Sequence, residues 1–589
     1  MTISSCGSRS IPASSGRGRS SLGLVLALLA LAAAGPIRAQ TAAEIADPSY
    51  EPPAQRLTGA LVFSGEPGLK APPGADKLSI LITDVTVSNA LPGTEEQVQA
   101  LIDRLTGHRI AVSEIFAAAA ELEAAYARAG FVLSRVVIPA QTLVDGGKLR
   151  LTIIDGYVET IDDSAVPPSL RGRISGLTRP LVGKRGLRLA DLERRLLLAG
   201  DTYGVALGSA LAAGATPGGT VIVLDPVYRR LTGFFGIDNS FSDALGNYNI
   251  SSGLELNGAL GLGEVIYGRL SGHPQLGGEG GLFSANPRLR TLALGTVVPV
   301  GEDGLTFGLE ATQSRTTPES AGGASTSSYE RLSARIFYPL IRSTRKNLSV
   351  QLSFDMARDR LDLLTAVGKL PLHEDRTRVL RLSADGVWIR DKGAVFEAGA
   401  VLSLGFDALG ARSREDASGG TPLSRDGADA AFKKLELSAR YRQPFADVYS
   451  LSIAGQAQTA FGAPLLSSEQ FGIASLQGLS PFDEGALSGD AGWLIRAEVS
   501  RRVESQAFGK PLLINPYLFG AVGEVYRARP SAGEAGRVGA VAYGLGVELV
   551  SIRDPKFSSG TLRIEYGEGN RDDGGQDARR LTIQGSYRF

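Results

Sequence analysis

From about residue 230 to the last residue, Phe589, the chain repeats one pattern: short segments whose side chains alternate in polarity with a period of two. Leu348, Val350, Leu352 and Phe354 alternate with Ser349, Gln351 and Ser353. Leu435, Leu437, Ala439 and Tyr441 alternate with Glu436, Ser438, Arg440 and Arg442, and Trp493, Ile495, Ala497 and Val499 with Leu494, Arg496, Glu498 and Ser500. Successive side chains of a strand point to opposite faces, so each segment has one apolar face and one polar or charged face. The charged face needs water, and the other needs lipid or core. Repeated this often, the pattern predicts a closed antiparallel sheet around a wet lumen. The connections alternate too: residues 342–347 are short, whereas 314–328, 406–433 and 527–536 are long, polar and rich in Gly, Ser and Asp. Short turns at one end and long loops at the other is the outer-membrane arrangement. A soluble β-sandwich would not account for that asymmetry.

The two chain ends fit export. Arg9, Arg17 and Arg19 precede an apolar run, Leu22 to Ala34, and Ile37-Arg38-Ala39 offers a small residue for cleavage after Ala39. The run is too short to cross a bilayer as a helix, which takes about 20 residues. At the other end, Leu581, Ile583, Gly585, Tyr587 and Phe589 share one face of a last strand, with Thr582, Gln584, Ser586 and Arg588 on the other. An amphipathic terminal strand ending in Phe resembles the signal read by the barrel-assembly machinery.

Composition removes several function classes. Lys+Arg and Asp+Glu each number 61, so no basic field points to nucleic acid. The one cysteine, Cys6, precedes the apolar run, so the cleaved chain would have no disulfide and no thiolate metal site. His108, His273 and His373 are far apart, and each is expected on the surface or in a loop. No G-x-S-x-G or G-x-x-x-x-G-K-[ST] is present, and His373-Glu374 has no second histidine at zinc spacing. The expectation is no catalytic, cofactor or metal site.

Ahead of the alternating region lie three more units. Residues 1–39 are the leader and 40–76 a Pro-bearing linker with no helical periodicity. Residues 77–157 read as β-α-α-β-β: a strand, Leu78 to Val87; a helix through Val98, Leu101, Ile102 and Leu105; a second helix, Glu114 to Ala129, capped by Ser113; and two strands ending in Leu149, Leu151 and Ile153 on one face. Residues 158–228 repeat the order more loosely, with one helix candidate, Leu189 to Ala199, and a hairpin across Pro217-Gly218-Gly219. Residues 229–589 form the barrel.

A repeated β-α-α-β-β module before such a barrel resembles POTRA domains, and the chain as a whole resembles the two-partner secretion transporters, or haemolysin secretion/activation proteins. Gly130-Phe-Val-Leu-Ser-Arg-Val-Val-Ile-Pro139 running to Asp155-Gly156 resembles the first POTRA domain of that family. Asp238-Asn239-Ser240 with Asn249 and Gly261-Leu-Gly-Glu264 resembles its first barrel hairpin, and Tyr338-Pro-Leu-Ile-Arg342 a strand end. Leu487-Ser488-Gly489-Asp490-Ala-Gly492-Trp493 resembles the segment closing its lumen-inserted loop.

The resemblance implies sixteen strands, compatible with about 360 residues at roughly 20–25 per strand and connection. It also implies a loop motif Val-Arg-Gly-Tyr/Phe whose arginine meets an acidic residue on the inner wall in Phe-x-Asp-x-Gly. Here the loop reads Leu476-Gln477-Gly478-Leu479 and the wall Phe519-Gly520-Ala521-Val522-Gly523, so both charges are missing. Losing one partner would strand a buried charge at about 3–5 kcal/mol; losing both avoids that. Three explanations stand: Gln477 holds the loop through neutral hydrogen bonds, the loop is less tightly fixed, or Ala521 is not the matching position.

What the resemblance implies about function is export of a large unfolded exoprotein, captured in the periplasm by strand addition to a POTRA sheet edge. The partners would be that exoprotein, outer-membrane lipid and the barrel-assembly machinery. Two other readings are an assembly or insertase factor of the same superfamily, which often carries more modules than the two that fit between residues 77 and 228, and a passive porin-like channel, which needs none.

Overall fold

The computed structural model describes residues 40–46, 62–63, 71–319, 324–507 and 509–589; the leader and Ala39 lie outside the described residues. A four-residue helix, α1 (Ala42–Ile45), opens it, followed by a two-residue strand, β1 (Val62–Phe63). The first module then runs β2 (Ser79–Ser88), α2 (Glu95–Leu105), β3 (Arg109–Ala111), α3 (Val112–Arg128), β4 (Arg135–Val137) and β5 (Gly147–Ile154). Its sheet order is β3-β2-β5-β4. Leu149, Leu151 and Ile153 are buried in its core with Tyr126 and Ile115. Ser113 is not the cap of α3. The strand β3 delivers extended chain up to Ala111, so the helix starts one residue before Ser113.

The second module comprises β6 (Tyr157–Asp162), α4 (Pro168–Thr178), α5 (Leu189–Gly200), β7 (Val205–Ala213) and β8 (Gly219–Tyr228). Its sheet order is β1-β7-β8-β6. Helix α4 has no counterpart in the sequence reading. Its stretch contains Gly172, Gly176 and two serines, a poor helix former. What makes it a helix is burial: Leu170, Ile174 and Leu177, spaced by four and three, are fully buried.

The barrel strands are β9 (Leu231–Asp238), β10 (Asn249–Asn257), β11 (Val265–Gly272), β12 (Leu289–Val300), β13 (Leu305–Thr316), β14 (Ser325–Arg342), β15 (Lys346–Thr365), β16 (Gly368–Ile389), β17 (Val395–Gly405), β18 (Lys433–Phe445) and β19 (Tyr449–Thr459). Two short pieces, β20 (Phe471–Gly472) and β21 (Ser488–Gly489), pair inside the long β19–β22 connection. The wall resumes with β22 (Ala491–Arg501), β23 (Val503–Ala507), β24 (Lys510–Tyr526), β25 (Arg537–Asp554), β26 (Ser558–Arg571) and β27 (Ala578–Arg588). β22 and β23 both pair with β24 and form one strand broken at Arg502, so the closed antiparallel barrel has sixteen strands. The alternation holds in space. Leu518 and Leu545 face outward and are exposed, whereas Tyr517, Phe519 and Glu565 face inward and are buried.

The seam between β9 and β27 has a five-residue ladder, Gln584↔Asp238 to Arg588↔Phe234, against twenty pairs between β15 and β16. Asn239 extends it: its amide donates to the Leu581 carbonyl at 2.8 Å and its Oδ1 accepts from the Ile583 N–H at 2.7 Å. Asp238 holds that corner by accepting from the Ser240 N–H (3.1 Å) and from Asn249 (3.0 Å). At the other end, Gly233 and Phe589 exchange both backbone hydrogen bonds at 3.0 Å, and the Tyr587 and Phe589 rings stack 6.4 Å apart on the outer face.

The second module is fastened to the short turns. Arg342 closes a bidentate pair on Asp201 at 2.7 and 2.8 Å. Arg194 of α5 donates to the Pro339 carbonyl at 2.9 Å, and Arg195 to the Glu302 carbonyl at 2.8 Å. Glu264 is fully buried and accepts from the N–H groups of Leu260 (2.6 Å) and Leu262 (3.0 Å), shaping the turn beside α4. The Tyr338–Arg342 and Gly261–Glu264 motifs are therefore parts of this junction.

Candidate functional site

The β19–β22 connection, residues 460–490, folds into the lumen, and its tip lies on the inner face of β22 to β27. Ile473, Leu479 and Leu487 of the loop are fully buried against Leu494, Tyr517, Phe519, Ala521 and Val525 of the wall. Full burial of such a side chain is worth on the order of 1.5–3 kcal/mol. Gly478 is required by close approach: a Cβ there would sit 2.6 Å from the Ile473 carbonyl oxygen and 2.7 Å from Leu494.

A four-charge network lies under the tip. Arg496 Nη1 donates to the Gly478 carbonyl at 2.9 Å and to Ser480 Oγ at 3.3 Å, its Nη2 pairs with Glu565, and its Nε pairs with Glu498 at 2.7 Å. The guanidinium sits 3.9 Å over the Phe519 ring. Glu565 also accepts from Ser480 and, at 2.8 Å, from the Tyr517 hydroxyl. Arg563 bridges Glu498 and, at 3.0 Å, Glu565. Two guanidiniums and two carboxylates balance, with Arg496 and Glu565 nearly inaccessible.

Gln477 plays no part in this. Its side chain is exposed and makes no hydrogen bond among the described residues. The idea that it holds the loop is corrected by Arg496, which stands directly opposite Ala521 in the β22–β24 ladder. Ala521 lies on the inner wall, 6 % exposed, and Phe519 and Gly523 share its face. In this chain the arginine under the loop stands on the wall, and the small Ala521 opposite it leaves space beside the guanidinium.

Other contacts hold the rest of the loop. Glu469 takes Arg381 in a bidentate pair (2.7 and 3.1 Å) and Lys434 at 3.1 Å on the opposite wall. Asp490 accepts from the N–H groups of Leu465 (2.9 Å) and Ala528 (2.8 Å), tying the loop base to the β24–β25 connection. Ser488 and Gly489 form the return arm against β20, and Gly492, the second residue of β22, lies beneath Phe471. Arg580 of the last strand pairs with Asp483 and donates to the Phe482 carbonyl at 3.2 Å.

Helix α1 shares the lumen, in a stretch where the sequence shows no helical periodicity. Ala42 packs on Tyr329 and Ala357 of the wall. Gln40 accepts from the Ser242 N–H at 3.2 Å, and its amide donates to the Glu484 carbonyl of the inserted loop. His373, too, departs from expectation. It is in β16, largely buried, 3.5 Å from Asp359.

Arg496, Glu565, Glu469 and Arg381 escaped sequence reading. Arg496 and Glu498 did show as charges on the lumen face of a strand, but nothing in one sequence says which loop atoms they meet.

A family model for the haemolysin secretion/activation protein ShlB/FhaC/HecB matches residues 218–549, and a model for the ShlB-type POTRA domain matches residues 80–156. The chain belongs to the haemolysin secretion/activation protein family. It is an outer-membrane transporter of the two-partner secretion type, with its POTRA region in the periplasm. The outer membrane transporter CdiB of Escherichia coli O6:K15:H31 (strain 536 / UPEC) is 23% identical over 496 residues, 83% of this chain and 76% of the relative. The solved structure of CdiB from Escherichia coli superposes with a TM-score of 0.65 at 18% identity, covering 91% of this chain and 94% of that one. CdiB from Acinetobacter baumannii gives 0.57 at 16% identity, covering 97% of each.

Proposed function

We propose that this transporter captures its exoprotein by strand addition in the periplasm, and that the locked loop and α1 must leave the lumen axis before the exoprotein passes. The observation that carries the reading is the loop itself, held on opposite walls by Arg496 and by Arg381 with Lys434. A passive channel has no use for a plug fixed by charge networks.

Strand addition is supported by β1. Its residues add as a parallel outermost strand on β7, Val62 beside Ala210 and Phe63 beside Leu211, which is main-chain addition of an extended segment to this side of the sheet within the chain itself. Lipid surrounds the wall, and the terminal strand is the handle for the barrel-assembly machinery.

A disulfide tests the movement. The only natural cysteine is Cys6, and Thr582 Oγ1 lies 3.5 Å from the Ser480 carbonyl. Ser480→Cys with Thr582→Cys is expected to block secretion when oxidised and to restore it on reduction. Equal secretion in both states would show that the tip need not move.

A further inference from the structure

The outer wall carries a groove of about 1020 Å³ running across β10 to β16. Its side chains can be sorted by the ladders. One row at a common height is Leu254, Gly268, Leu294, Ala311, Leu332 and Met356, each paired with the next. Leu254, Leu294 and Leu332 are each more than half exposed, so this row faces lipid. The adjoining row, two residues further from the short turns that hold the second module, contains Gln313, Glu330, Arg358 and Arg376. The step between rows is about 7 Å along a strand, which puts the charges at the outer edge of the apolar band. Beyond them a second recess of about 230 Å³ adds Arg360, Asp362 and Lys369.

This patch is basic. Arg358, Arg360, Lys369, Arg376 and Arg378 face Glu330, Asp362 and Glu374, five cations against three carboxylates. Arg358 and Arg376 share one oxygen of Glu374, at 3.1 and 2.8 Å from their Nε atoms, and both side chains are 45% exposed. Their remaining donors are free to turn outward. The Lys369 amino group has no ion-pair or hydrogen-bond partner among the described residues. On the opposite side of the barrel, the outward residues near the corresponding edge include Tyr543, Tyr566, Glu568 with Arg579 at 3.3 Å, and Glu524 paired with Arg537, so each cation there has its own carboxylate. The excess charge is local to β14–β16.

We infer that this groove is a binding site for a phosphorylated anionic lipid of the outer leaflet. Its acyl chains would lie along the Leu254–Met356 row and its phosphate against Arg358, Arg360, Arg376 and Lys369. Guanidinium forks match phosphate oxygens, and an apolar track ending in such forks suits a lipid better than a soluble anion. The occupant would tether the barrel rotationally, with β14–β16 toward a bound lipid.

The test is native mass spectrometry of the full-length transporter, titrated with a bisphosphorylated glycolipid, with zwitterionic phosphatidylcholine and with inorganic phosphate. The glycolipid is expected to bind at least tenfold tighter than phosphatidylcholine. Arg358→Gln with Arg376→Gln should erase that preference while leaving phosphatidylcholine binding unchanged. Glu330→Gln, which adds to the positive excess without removing a cation, should strengthen glycolipid binding, and it keeps the test open if the double variant fails to fold. Equal binding of both lipids by the native protein, no loss in the double variant, or competition by inorganic phosphate at the affinity of the glycolipid would each overturn the assignment.

Discussion

Replacing Arg496 with Met should undock the inserted loop. The native guanidinium makes two hydrogen bonds to the loop, at 2.9 Å to the Gly478 carbonyl and 3.3 Å to Ser480, and it pairs with Glu565, 2 % exposed. Removing one member of a buried pair costs about 3–5 kcal/mol when the other is left alone. Here Arg563 remains 3.0 Å from Glu565, so the charge is not abandoned and the cost should fall to about 2–3 kcal/mol, the worth of one or two charge-assisted hydrogen bonds. At about 1.4 kcal/mol per factor of ten, the undocked fraction should rise about 30- to 150-fold. Planar-bilayer conductance reads this as more frequent openings, and limited proteolysis within residues 470–486 as faster cleavage. Adding Glu565→Gln tests the electrostatics. The double variant keeps Arg563 with Glu498 as a neutral pair, so its loss should be smaller than the sum of the two single losses. Native gating in Arg496→Met, or strict additivity in the double variant, would refute the idea that this network is the lock.

Asn239→Ala removes two hydrogen bonds across the β9–β27 seam, about 1–3 kcal/mol in total. The barrel should lose its heat-resistant gel mobility at a lower temperature than the native protein. Arg342→Met breaks the pair with Asp201, and about 3 kcal/mol of junction stability should go with it. Hydrogen exchange in α5 should then accelerate while exchange in β15 and β16 stays slow. In the first module, the Leu81 N–H and then Arg109 hold the Asp145 carboxyl below its ordinary value. A lowered folded value gives stability that is complete above the usual carboxylate range, about 3.9, and is lost as pH falls through the folded value. Asp145→Asn should flatten the acid side of the module's unfolding profile, followed by hydrogen exchange.

Much of the architecture was present in the one-dimensional pattern, for a local reason. Inside and outside of a barrel wall are set by parity along each strand, so Leu518 outward and Phe519 inward follow from the sequence. The β-α-α-β-β module was visible because Leu149, Leu151 and Ile153 carry the same parity on a buried sheet. Helix α4 and the lumen helix α1 were not. Both are made by what they pack against, Leu170, Ile174 and Leu177 in one core and Ala42 on Tyr329 in the lumen. The motif positions also divide. Gly478, Asp490 and Asn239 stand at contacts that need those residues, whereas Gln477, the position where the resemblance implies a charged anchor, is solvent-exposed. Sequence by itself determined the barrel, its polarity and the first module, because each rests on spacing between near neighbours. Tertiary structure alone decided the lock. Arg496 and Glu565 are 69 residues apart and meet only because β22, β24, β25 and β26 are successive neighbours in the curved wall.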